Sequence, residues 1–347
     1  MNTPTTGMRE LLRKIVDGAP LSPAEIRGGF EAILKEETRD SEIALFLTSL
    51  STRGIDADVL TEAAKVLREK MTPVRLTTLG AIDTCGTGGD KTGSFNFSTG
   101  AALLAAACGV PVAKHGNRAI SSKSGSADLL EALDIPIELG AEEIAAAVAR
   151  DGFGFMLAPR FHPATARVQQ IRKRLETTTV FNFLGPLLNP AGVKRQVVGV
   201  FAPAMRPVMA EALRRLGTEK AWVVSSDQGM DELSTGGLTY VTEVSPEGLR
   251  EELVQPGDAG LRESDVKFLA GKDAAHNAKL LRGIFDKTFF GPIRDGLVLN
   301  AAAALVVADK AKDLKEAAVL AKDAIESGAA ADILERLSKR QMSSRTE

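Results

Sequence analysis

Residues 81–116, AIDTCGTGGDKTGSFNFSTGAALLAAACGVPVAKHG, read as one continuous strand, turn, helix and strand. The apolar run AIDTC stops at a cluster of glycines, FSTGAALLAAACG opens like a helix with Ser98 or Thr99 near its N-cap, and VPVAK returns as a strand. Two strands joined through a helix pair in parallel, because the crossover brings the chain back to the edge it left. The glycine turn therefore lies at the carboxyl end of a parallel strand and at the amino end of a helix. Free backbone N–H groups and the positive helix dipole make such a place attractive to phosphate. Neither standard glycine fingerprint fits. Lys91 occupies the third glycine position of G-x-G-x-x-G, and no phosphate-loop G-x4-G-K-[ST] motif occurs here.

The same rhythm continues downstream. FGFMLAP (153–159), QVVGVF (196–201), AWVVSS (221–226) and LTYVTEV (238–244) read as strands. Helical patterns lie near 125–133, 163–175 and 204–216, and again from about 273 onward. A largely parallel sheet covered by helices follows, with ligands expected beyond the carboxyl ends of its strands. Upstream of residue 72 the pattern is helical throughout. Ser22, Pro23 and Glu25 form a capping box at the start of one helix. SEIALFLTSLSTRG, residues 41–54, carries Ile43, Leu45, Phe46, Leu47 and Leu50 on more than one face. That surface packs either in the chain's own core or against another domain or a second subunit. The expected architecture is a small N-terminal α-helical domain over 1–74, joined by helices near 163–190, and a larger α/β domain over 75–347.

With 347 residues, 44% hydrophobic and 25% charged, the chain has material for a sizeable core. A formal net charge of −2 gives no overall basic field for nucleic acid or a membrane surface. Cys85 and Cys108 lack metal-ligand spacing, and the histidines at 115, 162 and 276 are scattered, which argues against a structural zinc site. The N-terminus has no apolar signal region, so a reduced, cytoplasmic setting is expected, and the Asn96-Phe97-Ser98 sequon is read as coincidental.

One further segment carries chemistry. KHGNRAISSKSGSADLLEAL, residues 114–133, follows a strand and is dense in cations, serines and glycine. A strand-proximal loop so rich in donors suits an extended phosphate-bearing ligand.

Taken in order, GTGGD, FNFST, KHGNRAISSKSGSADLLEAL, HPATARVQQIRKRL, FNFLGPLLNPAG and DELS (231–234) resemble the motifs of the anthranilate phosphoribosyltransferase family. The resemblance spans nearly the whole chain. It implies the nucleoside phosphorylase and phosphoribosyltransferase class of α/β fold. It also implies transfer of a phosphoribosyl group from 5-phosphoribosyl 1-pyrophosphate (PRPP) to the amine of anthranilate, in tryptophan biosynthesis. At matching positions, PRPP contacts fall on Gly86, Gly89, Asp90, Ser94, Asn96, Phe97, Ser98 and Thr99. Others fall on Lys114, His115, Gly116, Asn117, Arg118, Ala119, Ile120, Ser121, Ser122 and Ser126. Gly86, Asn117, His162 and Arg172 match the anthranilate positions, the arginine because its planar fork pairs bidentately with a carboxylate, and His115 also matches a position that lines the acceptor pocket. Ser98, Asp231 and Glu232 match the ligands of two magnesium ions. No obligate acid or base is implied, since an aromatic amine is already nucleophilic at neutral pH; Lys114, Asp231 and Glu232 would support the transition state. The family also implies a homodimer, with no nucleic acid and no membrane as partners.

The chain departs from the family pattern at several positions. Beyond Arg172 it has Arg174 for an acid, Glu176 for a glycine and Thr178 for an arginine, while Asp134 and Lys91 also stand where glycine is usual. The lost glycine at 176 implies a changed turn. Two rival functions share the scaffold, a pyrimidine nucleoside phosphorylase and a noncatalytic nucleic-acid-binding paralogue. The loop at 114–122 and the acidic pair weigh against the first, and the retained donor loop and net charge against the second. DELSTGG also mimics the turn of the common phosphoribosyltransferase fold, but DQGM precedes its acids and the spacing is short.

Overall fold

A computed structural model of the protein describes residues 7–119 and 123–343, with side chains through residue 339. Four helices come first: α1 (Met8–Val16), α2 (Pro23–Ile33), α3 (Asp40–Arg53) and α4 (Ala57–Lys70). The capping box at α2 is present, with Ser22 Oγ accepting from Glu25 N at 3.3 Å and Glu25 Oε2 from Ser22 N at 2.9 Å. Ile43, Phe46, Leu47 and Leu50 of α3 are at most 1% exposed within the single chain, and only Leu45 faces outward. The first of the two readings of α3 therefore holds for these four residues: they are covered by the chain itself. Phe30 of α2 meets Phe46 edge-on at 5.3 Å, and the close approach requires Gly29, where a Cβ would lie 2.7 Å from Phe46.

The sheet comprises β1 (Ile82–Gly86), β2 (Val112–Gly116), β3 (Phe153–Leu157), β4 (Arg195–Gly199), β5 (Lys220–Ser226), β6 (Thr239–Ser245) and β7 (Gly248–Val254). Among the described residues its order is β3-β2-β1-β4-β5-β6-β7. The five strands from β3 to β5 run parallel, and β6 and β7 continue as an antiparallel edge. β7, GLREELV, goes beyond the strands expected from sequence: five of its seven residues are exposed or charged, and it shows no apolar alternation.

Between these strands lie α5 (Phe97–Ala107), α6 (Ser126–Ala132), α7 (Ala141–Asp151), α8 (Ala158–Phe161), α9 (Ala166–Leu175), α10 (Phe181–Leu184) and α11 (Arg206–Arg215). The chain closes with α12 (Ala274–Phe285), α13 (Pro292–Val307), α14 (Leu314–Glu326) and α15 (Ala329–Ser343). No helix of the described residues is long and apolar enough to cross a membrane.

Among the described residues two large apolar cores flank the sheet, with a smaller cluster around Ala113, Ile144 and Met156. One is built around α5 and α13, whose small residues let the helices nearly touch: a Cβ on Gly100 would meet Leu297 at 2.6 Å. The other joins α1–α4 to Val168 and Ile171 of α9, to Phe181 and Leu184 of α10, and to Met209 and Leu213 of α11. The N-terminal helices thus share one core with the segment around 166–188. The sheet's strand order reverses between β1 and β4, since β1 leads to β2 on one side while β4 pairs on the other. Such a reversal opens a crevice beyond the strand ends, and here Gly86 and Gly199 face each other across it.

Candidate active site

The crevice is roofed by the segment after β5. Ser226 N donates to Met230 O and Met230 N to Ser226 Oγ, both at 3.0 Å, turning the chain back over β1 and β4. Asn300 of α13 then holds the roof from both sides, accepting from Leu233 N at 3.1 Å and donating to Leu233 O at 2.8 Å. Asp231 and Glu232 are carried down onto the strand ends. A Cβ on Gly86 would lie 2.6 Å from Asp231 Oδ2, and one on Gly199 only 1.5 Å from Asp231 O, so the approach is open to glycine alone. Gly88 N donates to Asp231 Oδ2 at 2.9 Å, and Ser98 N, in the first turn of α5, donates to Glu232 Oε1 at 3.1 Å. The acidic pair is thereby joined to the glycine loop and to a helix amino terminus.

The two carboxylates are short of positive partners. Glu232 Oε2 is buried without a hydrogen bond. Burial, then the charge of Asp90, pushes the Asp231 carboxyl up to about 6; burial and Asp231 push Glu232 well above the usual carboxylate range. A cavity of about 10 Å³, room for about one water, lies among Thr84, Ser98, Asp231, Glu232 and Asn300. An all-oxygen donor set with an orphaned buried carboxylate oxygen fits a hard divalent cation. Among the described residues no three His, Cys, Asp or Glu side chains converge to cage a metal. Water or a substrate's phosphate oxygens would therefore have to complete its shell, which is how magnesium is usually held.

The glycine loop is open at its start and anchored at its end. Gly86, Gly88 and Gly89 are exposed, and Gly88, Gly89, Lys91 and Gly93 all have positive φ. Asp90 accepts from Thr92 N at 3.3 Å in a local turn. Ser94 pairs with Ala270, Phe95 N donates to Leu269 O, and Gly271 N donates to Gly93 O. The Asn96 amide is committed to protein: it donates to Ser124 O at 2.9 Å and accepts from Ser124 Oγ and Asn277 Nδ2. α5 starts at Phe97 with Asn96 in the cap position and no side-chain cap bond, so neither Ser98 nor Thr99 is its N-cap. Phe97 and Thr99 point into the core, at most 1% exposed, whereas Ser98 lines the cavity with the acidic pair.

Lys114 sits below this floor. Its side chain is 1% exposed and its ammonium donates to Thr84 O. Asp83, fully buried, supplies the main counter-charge; it accepts from Asn189 Nδ2 at 2.8 Å and His115 N at 3.3 Å, and burial holds its carboxyl up at about 6. In the following loop Asn117 is exposed, and Arg118 turns away to Glu131 at 2.7 Å and Asp128 at 3.3 Å. Asp128 Oδ2 also accepts from Ala119 N and Gly125 N, both at 2.9 Å. Ser126 Oγ bridges Asn117 N and O, and Gly116 leaves room for it, a Cβ there meeting Ser126 Oγ at 2.2 Å. Ile120, Ser121 and Ser122 lie outside the described residues.

His115 lies near the end of β2, His162 follows α8, and Arg172 lies on α9. The histidines touch through Nε2 at 3.3 Å, and burial lowers them to about 3 and about 4, so both are neutral at pH 7. Arg172, near the carboxyl end of α9, stacks over Phe181 at 5.3 Å and donates to Gln169 Oε1 at 2.8 Å and Asn182 Oδ1 at 3.2 Å. Its Nε is buried without a partner, and burial lowers the guanidinium to about 10. A half-buried cation with spare donors and only neutral ligands favours an incoming anion.

Asp83, Asp128, Asn182, Asn189, Asn277 and Asn300, which hold the candidate residues in place, are not singled out by the sequence. The one legible signal is an aspartate inside the apolar run AIDTC; the others look like ordinary polar residues until the fold brings them home. The departures at 91, 134 and 176 share a conformation. Lys91, Asp134 and Glu176 have φ of 59°, 60° and 48°, the left-handed region that glycine adopts freely. At 176, where a changed turn is expected, Glu176 ends α9 in left-handed geometry, and Arg282 holds Asp134 at 2.9 Å.

The likenesses agree with this geometry. The family described as "Glycosyl transferase family, helical bundle domain" matches residues 9–71, and "Glycosyl transferase family, a/b domain" matches 79–331. An anthranilate phosphoribosyltransferase of Chelativorans sp. (strain BNC1) is 48% identical over 326 residues, 94% of this chain and 96% of that protein. The crystal structure of the Thermus thermophilus enzyme of that name has a TM-score of 0.89 and 40% identity, covering 96% of this chain and 99% of that one. The Saccharomyces cerevisiae enzyme in complex with PRPP and Mg also reaches 0.89, with 28% identity and coverage of 98% and 100%. The same yeast enzyme in complex with 4-fluoroanthranilate reaches 0.86, with 27% identity and coverage of 97% and 98%.

Proposed function

The chain belongs to the anthranilate phosphoribosyltransferase family, and on that premise we propose that it joins the amine of anthranilate to C1 of PRPP, releasing pyrophosphate. The observation that carries this reading is the acidic pair itself. Asp231 and Glu232 hang over the β1/β4 crevice, tied to Gly88 and Ser98, with a buried oxygen left over. A pyrophosphate group placed against the exposed glycines meets N–H donors and the α5 amino terminus. Ser98, Asp231 and Glu232 would hold magnesium, two ions in our reading, and bound magnesium would neutralise charge on the departing pyrophosphate.

The protein's own part is mainly orientation. The nitrogen lone pair forms the new bond to C1 as the C1–O bond breaks, pyrophosphate takes the electron pair, and the excess amine proton goes to solvent. Arg172 clamps the anthranilate carboxylate and so aims the amine, while Phe181 supports the guanidinium from behind. Neutral His115 and His162 offer a wall that neither repels a cationic transition state nor competes with Arg172 for the carboxylate. Lys114, held by Thr84 O under the crevice, adds fixed positive charge beneath Glu232 and contributes through the field.

We further assign the helical domain to residues 1–74, joined by helices near 163–190, and the catalytic domain to 75–347, and propose a cytoplasmic homodimer without nucleic-acid partners. Purified protein mixed with PRPP, anthranilate and magnesium should consume anthranilate, read as loss of its fluorescence. No loss at high protein concentration overturns the activity. Sedimentation velocity should give twice the monomer mass, and a monomer overturns the dimer.

A further inference from the structure

The acceptor-side helix α9 is short and weakly seated. It has ten residues, no side-chain cap at Thr165, and Glu176 at its carboxyl end in left-handed geometry; only Val168 and Ile171 are buried. A ten-residue helix is marginal by itself, so its position must come from tertiary contacts. Besides Val168 and Ile171 in the core, one polar cluster supplies them. Arg167 reaches across to the turn between α2 and α3, donating to Lys35 O at 3.2 Å, Glu36 O at 3.0 Å and Thr38 O at 2.5 Å. Its Nε and Nη2 also donate to Asp40 Oδ1, at 3.0 and 2.7 Å. Arg174, which departs from the family pattern, lies 3.6 Å from Asp40 Oδ2.

The spacing gives this cluster a mechanical meaning. Residues 167 and 174 are seven apart, two helical turns, and so share one side of α9; Arg172, five residues beyond Arg167, lies on another side. A grip on 167 and 174 therefore sets the rotation of α9 about its own axis, and that rotation decides where the Arg172 guanidinium points. We propose that Arg167 is a positioning residue for the acceptor: through the 35–40 turn and Asp40 it latches α9 to the N-terminal helices and so aims Arg172, with Arg174 as a weaker second strap. The order of strength follows from geometry. Arg167 fills five donor contacts, three on backbone carbonyls of the α2–α3 turn, whereas the Arg174 pair is long and its side chain is 71% exposed, where ion pairs contribute little. The partners of Arg167 and Arg174 all lie between residues 35 and 40, away from the donor loop.

This inference rests on the acceptor role proposed for Arg172, and the test separates the two. In steady-state assays on the full-length protein, Arg167→Ala should raise KM for anthranilate about tenfold, because a small misaiming of a clamp is costly, and leave KM for PRPP within about twofold. Arg167→Lys should recover part of the loss, Asp40→Asn should fall between, and Arg174→Ala should stay within about twofold. Equal loss for both substrates, or a lowered melting temperature with both KM values unchanged, overturns the latch. Hydrogen exchange at amides 166–182 reads the latch without any activity. Faster exchange there in Asp40→Asn, with the glycine loop unaffected, supports it, and unchanged exchange overturns it. Failure of the wild-type protein to turn over anthranilate would overturn the acceptor reading instead, while the exchange result still stands for the latch.

Discussion

The donor and acceptor sides of the proposed site are built on opposite principles. The donor wall is mostly backbone: exposed glycines, amide N–H groups, a helix amino terminus, and an acidic pair pressed against Gly86 and Gly199 at distances no side chain allows. The proposed acceptor side is mostly side chains: two neutral histidines, and one arginine on a ten-residue helix that bonds the α2–α3 turn through Arg167. A backbone-built site for a polyanion is rigid and intolerant of added atoms. A side-chain site for a small aromatic acid is adjustable, and loses selectivity rather than existence when altered.

The sharpest way to break this contrast is Gly199→Ala. Its Cβ would fall 1.5 Å from Asp231 O, a backbone atom in a segment pinned by Asn300, so neither partner yields easily. Loss of activity together with destabilisation of about 3 kcal/mol is expected, measured by turnover and denaturant unfolding. An active, stable variant would show the roof to be mobile.

Next comes the acidic pair. Asp231→Asn with Glu232→Gln should lower kcat by about 100-fold or more and abolish the response to added magnesium. Unaltered magnesium dependence would remove these residues from the metal site.

Arg172→Ala should raise KM for anthranilate by roughly 10- to 100-fold, the scale of a lost bidentate charge-assisted pair, with donor affinity preserved. Equal losses for both substrates would erase the distinction between the walls.

A milder effect concerns pH. Asp231 titrates at about 6 in the fold, above its ordinary value of 3.8, because burial and Asp90 penalise its charge. The folded state therefore binds this proton more tightly than the unfolded chain does. The contribution to stability is complete below about 3.8 and is lost as pH rises through about 6. In metal-free protein, Asp231→Asn should flatten the pH dependence of the melting temperature between those values. Magnesium should reverse the trend in the wild type, since it needs the carboxylate.

The smallest change is Glu176→Gly. Relieving a left-handed glutamate gains about 1–2 kcal/mol and the added chain entropy returns about half, so a net stabilisation of roughly 0.5–1 kcal/mol is expected in thermal unfolding, with kinetics unchanged.

How legible is all this in the chain alone? The alternation of apolar runs with helical periods announces the parallel sheet, and Ser22-Pro23-x-Glu25 announces a helix start, because these signals are local. β7 escapes because an exposed edge strand needs no apolar pattern. Asn96 illustrates the limit at the site. As a loop residue it reads as a ligand contact, yet its amide is spent on Ser124 and Asn277, 28 and 181 residues away. The positive φ at Lys91, Asp134 and Glu176 is equally hidden, because an ordinary side chain does not declare a left-handed backbone.

By itself, then, the sequence determined what depends on neighbours along the chain: the helix and strand periods, the glycine turn beside a helix start, the acids and cations available, and the family to which they point. Only the tertiary structure decided which of those groups remain free to bind. It buried Lys114 against Thr84, turned Arg118 toward Glu131, left an oxygen of Glu232 without a partner, and set Arg172 on a helix whose Arg167 bonds the turn between α2 and α3. The physical reason is that hydrogen-bonding capacity is consumed by whichever partner folding brings within about 3 Å, and those partners lie far away in sequence.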